Sequence, residues 1–255
     1  EMNPSTRPPL KTLADALGEL LAQAKPLAVA EPVSTFDADG RVLAQDLVSA
    51  LQVPSFDNSA MDGYALRAAD VTAAGVVLPV SQRIAAGSVG AALAAGTAAR
   101  IFTGAPVPDG ADAVVMQEEC AARDDGSVQI NAAVACGQNI RKSGEDIARG
   151  STIIAAGTRL SPAELGLAAS IGCASLQVAR RPRVALFSTG DELVMPGEVA
   201  PQDLPAGSIY NSNRFFLRAM LQRLGCEVID RGIVPDSYEA TVAALQSAAH
   251  DCDLV

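Results

Sequence analysis

Apolar residues recur at two periods along this chain, and the change of period divides it. Leu13, Leu17, Leu20 and Leu21 fall on one face at helical spacing. Thr12 precedes them with Asp15 three residues on, a capping-box-like start, and Pro26 ends the run. The segment ahead, with Pro4, Pro8 and Pro9, reads as a tail. From Val33 to Ser49 the pattern is short and mixed. Asp39-Gly40 forms a turn before Arg41-Val-Leu-Ala, which reads as a strand or a short helix.

Between about 50 and 148, Gly and Pro repeatedly interrupt short apolar runs such as Val76-Val-Leu, Ala113-Val-Val-Met and Val128-Gln-Ile, which predicts a β-rich lobe. Within it, Arg100 to Met116 reads as strand, tight turn, strand, with Asp109-Gly110 supplying the turn and Pro106 and Pro108 excluding a central strand. Two polar loops stand out. One runs from Pro54 to Leu66 and carries Asp57, Asn58, Ser59 and Asp62, with a backbone turn expected at Gly63. The other, Gly137 to Ile147, carries Glu145 and Asp146. Ser161-Pro-Ala-Glu164 then opens a helix, with Ser as cap, Pro at the first helical position and Glu completing the box.

From Arg183 the pattern changes again. Val184-Ala-Leu-Phe is a compact strand. An amphipathic helix follows through Leu217, Met220, Leu221 and Leu224, closed by Gly225. Cys226 to Asp230 is a second strand, and its loop ends at Gly232-Ile-Val-Pro-Asp236. A helix from about Ser237 to His250 leads to a third strand beginning at Asp253. This βαβαβ order predicts a parallel sheet. A third strand cut off so early makes the chain read as truncated relative to its natural fold.

With 255 residues, two or three lobes are expected. Trp is absent and aromatics are 4%, so Ala, Val, Leu and Ile must build the cores. The formal charge of −10, with sixteen arginines and three lysines, argues against a nucleic-acid surface, and an anionic substrate would need a divalent cation or a local arginine cluster. No run reaches the length of a membrane span and the start has no signal-like core, so a cytoplasmic protein is expected. Cys120, Cys136, Cys173, Cys226 and Cys252 form no C-x-x-C pair, and His250 has no companion imidazole.

Open α/β sheets bind ligands at the carboxyl ends of their strands. Here those ends carry Ser188-Thr-Gly-Asp191-Glu192 and Pro235-Asp236. Two acidic loops after neighbouring strands could hold Mg2+, which takes one or two carboxylates plus substrate phosphate oxygens. Plainer readings stand beside this one. Asp236 with Glu239 could cap the following helix, Asp191 and Glu192 could be solvated, and Asp57, Asp62, Glu145 and Asp146 could be turn-forming acids. Thr103 sits at a strand-to-turn junction, where its hydroxyl could meet a ligand or only stabilise the turn. No Gly-rich nucleotide loop is present.

Several segments together resemble one family, the molybdopterin molybdotransferases, which include bacterial MoeA and the E domain of gephyrin. They are Gly40-Arg-Val-Leu-Ala44, Phe56-Asp-Asn-Ser-Ala-Met-Asp-Gly-Tyr-Ala65, the stretch from Ile101 to Val115, Ile140-Arg-Lys-Ser-Gly-Glu-Asp-Ile147, Ser188-Thr-Gly-Asp-Glu-Leu193, Ile209-Tyr-Asn-Ser-Asn-Arg214 and Leu224-Gly-Cys-Glu-Val-Ile229. They follow the family's order through nearly the whole chain.

The resemblance implies a multidomain α/β plus β-rich, MoeA-like elongated subunit. Residues 1–27 would be an N-terminal helix packing with the α/β domain, 28–50 plus 149–180 a linking domain, 51–148 an inserted β-rich domain, and 181–255 an incomplete molybdopterin-binding-like α/β domain. It also implies a homodimer with a shared active site. The reaction would insert molybdate into adenylylated molybdopterin with release of AMP, assisted by Mg2+. By the same resemblance Asp62, Thr103, Asp146, Glu192 and Asp236 are catalytic, with Glu192 and Asp236 on the metal. Ser59, Ser188, Thr189, Gly190, Asp191, Asn213 and Arg214 are expected to bind substrate. The family's later Ser-Gly-Gly loop, its lysine-bearing segment and a C-terminal β-barrel domain do not occur here, so the chain as it stands is expected to be inactive. A non-catalytic scaffold, as in gephyrin, or a pterin- or molybdate-binding relative without turnover are the alternatives.

Overall fold

The computed structural model describes residues 10–27 and 29–255, and the expected tail at Pro4, Pro8 and Pro9 falls outside them. The chain divides into two compact units. One comprises the chain up to Val33 with Gly40–Ala44 and Leu176–Val255; the other comprises Ser34–Asp39 and Gln45–Ser175. Residues of the expected linking domain are therefore distributed over both.

Helix α1 (Leu13–Gln23) forms where its leucines and cap predict it. The Thr12 hydroxyl accepts from the Asp15 N–H at 3.1 Å and donates to the Asp15 carboxylate at 2.7 Å. Lys11 pairs with Glu19 across two turns. No residue of α1 is buried: Leu13, Leu17, Leu20 and Leu21 are 86, 52, 72 and 64% exposed. The expected packing of this helix on the α/β domain thus does not bury its apolar stripe. At Arg41-Val-Leu-Ala, where a strand or short helix is expected, the backbone makes only isolated bridges, such as Leu43 to Val178.

The second unit is built on a six-stranded sheet. Its strands are β1 (Gly63–Leu66), β2 (Val76–Ile84), β3 (Ala98–Ile101), β4 (Ala113–Met116), β5 (Cys120–Ala122) and β6 (Ser127–Ile130), in the order β4-β1-β3-β2-β6-β5. Only β2 and β3 pair in parallel. Period-two alternation sends Tyr64, Leu66, Ala98, Ala113 and Val115 to one core and Ala65, Ala99, Ile101 and Val114 to another. All four residues of β1 are buried, as a strand covered on both faces requires.

This topology corrects two expectations. β3 and β4 are not a hairpin, because β1 lies between them, and the connection bearing Pro106 and Pro108 passes around its end. Gly63 does not turn the backbone but opens β1. A Cβ there would sit 1.9 Å from Val115 O, so glycine is required by close approach of β4. After the sheet, α2 (Pro162–Ser170) carries the predicted capping box, with the Glu164 carboxylate accepting from the Ser161 N–H at 2.9 Å.

In the first unit β7 (Arg183–Thr189) leads to α3 (Ser212–Arg223), β8 (Glu227–Val234) and α4 (Tyr238–Asp251). β7 and β8 are parallel, in register from Arg183 opposite Glu227 to Thr189 opposite Val234. β8 runs on to Val234, past the end expected at Asp230. The register shifts between Leu186 and Phe187, so Arg231 is the extra residue of a bulge and Gly232 follows it at φ +80°. The third strand is present as one parallel bridge from Leu254 to Val184. Asp253 anchors it, accepting from both guanidinium ends of Arg180 at 2.6 Å and from the Arg183 N–H at 2.8 Å. Those contacts hold its carboxyl down at about 2.

Candidate active-site carboxylates

The antiparallel register that sets Gly63 opposite Ile101 brings Asp62 alongside the residues following β3. Thr103 then donates twice to one oxygen, Asp62 Oδ1, from its backbone N–H at 2.8 Å and its hydroxyl at 2.7 Å. These donors, with a smaller contribution from the charge of Arg100, hold Asp62 below the usual carboxylate range. Oδ2 has no hydrogen-bond partner among the described residues. The result is an ionised, exposed carboxylate with a fixed orientation, as a ligand-facing group requires.

The rest of the polar loop is spent on architecture. Asp57 accepts from Lys142 Nζ at 2.8 Å and from the Ser143 N–H at 2.9 Å, and both lower its pKa. It thereby ties this loop to the 137–147 loop, a longer reach than a turn-forming acid has. Asp146 is held by the Arg141 guanidinium at 2.6 and 2.8 Å. Ser59, expected to bind substrate, is only 1% exposed, and its hydroxyl donates to Met61 O at 2.6 Å. It fixes the loop from within and is removed from the substrate set. Asn58 Oδ1 is buried without a partner. A cavity of about 690 Å³ on this unit is lined by Phe56, Asp57, Pro106, Asp112, Cys136 and Lys142 among others, and neither Asp62 nor Thr103 borders it.

On the other unit, the β7–β8 register brings the two acidic loops side by side, and Asp191 Oδ1 accepts from the Asp236 N–H at 3.2 Å. The cap of α4 is Ser237, whose hydroxyl accepts from the Ala240 N–H at 3.2 Å. Asp236 is therefore not the capping residue, and its carboxylate has no hydrogen bond among the described residues. Gly190, at φ +138°, leaves space that the Glu192 carboxylate fills: a Cβ there would lie 2.5 Å from Glu192 Oε2. Thr189 stands exposed at the strand end.

The remaining substrate assignments divide. Ser188 accepts from Asn211 Nδ2 at 3.0 Å. Asn211, 2% exposed, also caps α3 through the Arg214 N–H at 3.2 Å. This residue was not picked out by sequence reasoning, although Asn directly before a helical run is a capping signal. Asn213 is exposed in the first turn of α3. Arg214 is taken up by Asp230, at 3.0 Å from Nε and 2.7 Å in the closest ion pair, which leaves it a framework role in place of the expected substrate contact. Burial would push Asp230 up, but Arg214 and the Gly232 N–H outweigh it and hold it down.

Among the described residues no three His, Cys, Asp or Glu side chains are grouped to hold a metal ion. Glu192 and Asp236 stand on the two loops that the Asp191–Asp236 hydrogen bond joins.

A β-rich unit bearing a clamped carboxylate, and a parallel βαβαβ unit with acids at its strand ends, define a multidomain α/β plus β-rich protein. Residues 11–172 match the MoeA N-terminal region (domain I and II), and residues 185–255 match a probable molybdopterin binding domain. The chain belongs to the MoeA family. It is 38% identical over 244 residues to the molybdopterin molybdenumtransferase of Haemophilus influenzae, covering 96% of this chain and 59% of the relative. It is 42% identical over 246 residues to molybdopterin molybdenumtransferase 2 of Mycobacterium tuberculosis, covering 94% and 58%. The crystal structure of the molybdopterin biosynthesis MoeA protein from Pyrococcus horikoshii OT3 matches with a TM-score of 0.88 at 33% identity, over 94% of this chain and 64% of that one. The chain thus spans somewhat under two thirds of the length of these relatives.

Proposed function

We propose that this protein is a molybdopterin molybdotransferase that inserts molybdenum from molybdate into the dithiolene of adenylylated molybdopterin and releases AMP. The observation that carries the reading is the Asp62–Thr103 clamp, which fixes an ionised carboxylate outward on the segment most characteristic of the family. The family membership and the names of its relatives support the substrate class.

Glu192 and Asp236 would hold Mg2+, which when bound neutralises the phosphoanhydride and stabilises the leaving phosphate of AMP. The chain's own residues do the positioning. Asp191 ties the two acidic loops together through the Asp236 N–H. The space at Gly190 lets the Glu192 carboxylate fold close to the backbone. Thr103 keeps Asp62 ionised and aimed, and Arg141 holds Asp146 in place.

We further propose a homodimer in which the Asp62 loop of one subunit serves the acidic loops of its partner. The exposed leucine stripe of α1, together with Phe215, Phe216 and Met220 on α3 at 40 to 65% exposure, supports self-association. No helix among the described residues is long and apolar enough to cross a membrane. The net charge of −10 argues against a nucleic-acid partner.

The test is molybdate-dependent AMP release from adenylylated molybdopterin by the full-length protein, with and without Mg2+. Asp62→Ala and Glu192→Ala should each lower the rate by roughly 100-fold or more, the scale on which removing a group that stabilises developing charge acts. Absence of molybdate-dependent release from the wild type defeats the proposal.

A further inference from the structure

Arg83 and Arg100 stand directly opposite one another on the parallel pair β2–β3, so their side chains leave the same face of the sheet. Both guanidinium groups lie over Phe102, at 4.5 and 4.7 Å from the ring centroid, and Arg100 lies 5.2 Å from that of Tyr64. Like charges at opposed strand positions repel each other, and stacking on a shared ring only partly offsets this. Arg100 is anchored, donating to Gly63 O at 2.9 Å and to Gln117 Oε1 at 2.6 Å. Arg83 is exposed, and it makes no ion pair or hydrogen bond among the described residues.

The position of this pair matters. Phe102 is followed by Thr103, which clamps Asp62, and the charge of Arg100 reaches Asp62. Arg100 thus lies within reach of the proposed catalytic carboxylate, and Arg83 shares its Phe102 ring, in a chain of net charge −10. An anion with several charged oxygens would remove the repulsion between them and satisfy the free fork of Arg83.

We propose that Arg83 and Arg100 form an oxyanion subsite of the β-rich unit, and that its ligand is the phosphoanhydride of the nucleotide-bearing substrate. The subsite follows from the paired arginines; the choice of phosphoanhydride rests on the molybdotransferase reading. Arg83 is the arm that closes on the ligand, and Arg100 is the fixed arm.

Titration calorimetry with inorganic pyrophosphate, and separately with molybdate, tests this without turnover, so its outcome is independent of the AMP-release experiment. Arg83→Gln should weaken pyrophosphate binding roughly ten-fold, the loss expected for one charge-assisted hydrogen bond, and Arg83→Lys should weaken it less. Arg123→Gln removes the same charge from the exposed turn between β5 and β6 and should leave affinity within about two-fold of wild type. No binding of pyrophosphate by the wild type, wild-type affinity in Arg83→Gln, or equal losses at Arg83 and Arg123 overturns the subsite. A loss confined to molybdate overturns the choice of phosphoanhydride.

Discussion

Gly63→Ala tests the physical reason for the most unusual contact in the β-rich unit. The added methyl would begin 1.9 Å from Val115 O and 2.9 Å from Val115 C, whereas real Cβ atoms essentially never approach within 3.0 Å. Both obstacles are backbone, so no side chain can swing away, and β1 and β4 must separate by about 1 Å. β1 is paired on both sides and buried along all four residues, whereas β4 is the edge strand of the sheet, so the strain falls on the β1–β4 pairing. Overpacking of this kind costs about 1–3 kcal/mol. Losing one or two ladder hydrogen bonds adds about 1 kcal/mol each, for a total of about 2–5 kcal/mol against a typical stability of about 5–15 kcal/mol. With a urea slope of about 2 kcal/mol/M the midpoint should fall by about 1–2.5 M. Far-UV circular dichroism reads it, and hydrogen exchange at Tyr64 and Val114 assigns the loss to the sheet, since a chain of two units need not unfold in one step. Gly166→Ala is the control. It sits exposed in α2 with nothing within 4 Å of the new Cβ, so it should gain about 0.5–1 kcal/mol. If Gly63→Ala unfolds at the wild-type midpoint, the close-approach explanation of this glycine is wrong.

Two further outcomes are expected on the α/β unit. Ser237→Ala should destabilise it by about 1 kcal/mol through loss of the α4 cap, whereas Asp236→Ala should keep the urea midpoint and lose Mg2+ binding measured by calorimetry; the reverse pattern would return Asp236 to a capping role. Asp253, with its folded carboxyl at about 2 and an ordinary value of 3.8, contributes stability that is fully present above about pH 5 and is lost as the pH falls toward 2. The gap in urea midpoint between wild type and Asp253→Asn should therefore shrink on acidification through that window, and a gap that widens would contradict the assignment.

Periodicity was enough to locate the helices and the strands Val76–Ile84, Ala98–Ile101, Ala113–Met116, Ser127–Ile130, Arg183–Thr189 and Glu227–Val234, because each buries or exposes a face that a local pattern can encode. The cap residues Thr12 and Ser161 could be read within four residues of sequence, whereas the cap of α4 is Ser237, one residue past the expected Asp236. Strand order could not. That β1 lies between β3 and β4 depends on non-local pairing, and the turn chemistry of Asp109-Gly110 is equally compatible with a hairpin. Gly63 shows the same limit on a single residue. Its meaning is set by a strand more than fifty positions away, so the local inference of a turn had no means of correcting itself.

The carboxylates divide along the same line. Sequence identified the loops that carry the acids on each unit, but it could not tell which acids are already committed. Asp57 and Asp146 hold Lys142 and Arg141, and Asp230 neutralises Arg214, so each is balanced inside the fold. Asp62 differs in kind. Its partners are the neutral donors of Thr103, which hold the carboxylate ionised without cancelling its charge. Asp236 is relieved of the capping duty by the residue next to it. Among the described residues neither Asp62 nor Asp236 is in an ion pair, so each presents its charge outward where Asp57, Asp146 and Asp230 do not. That, more than the number of acids, is the physical argument for placing the chemistry at Asp62 and Asp236.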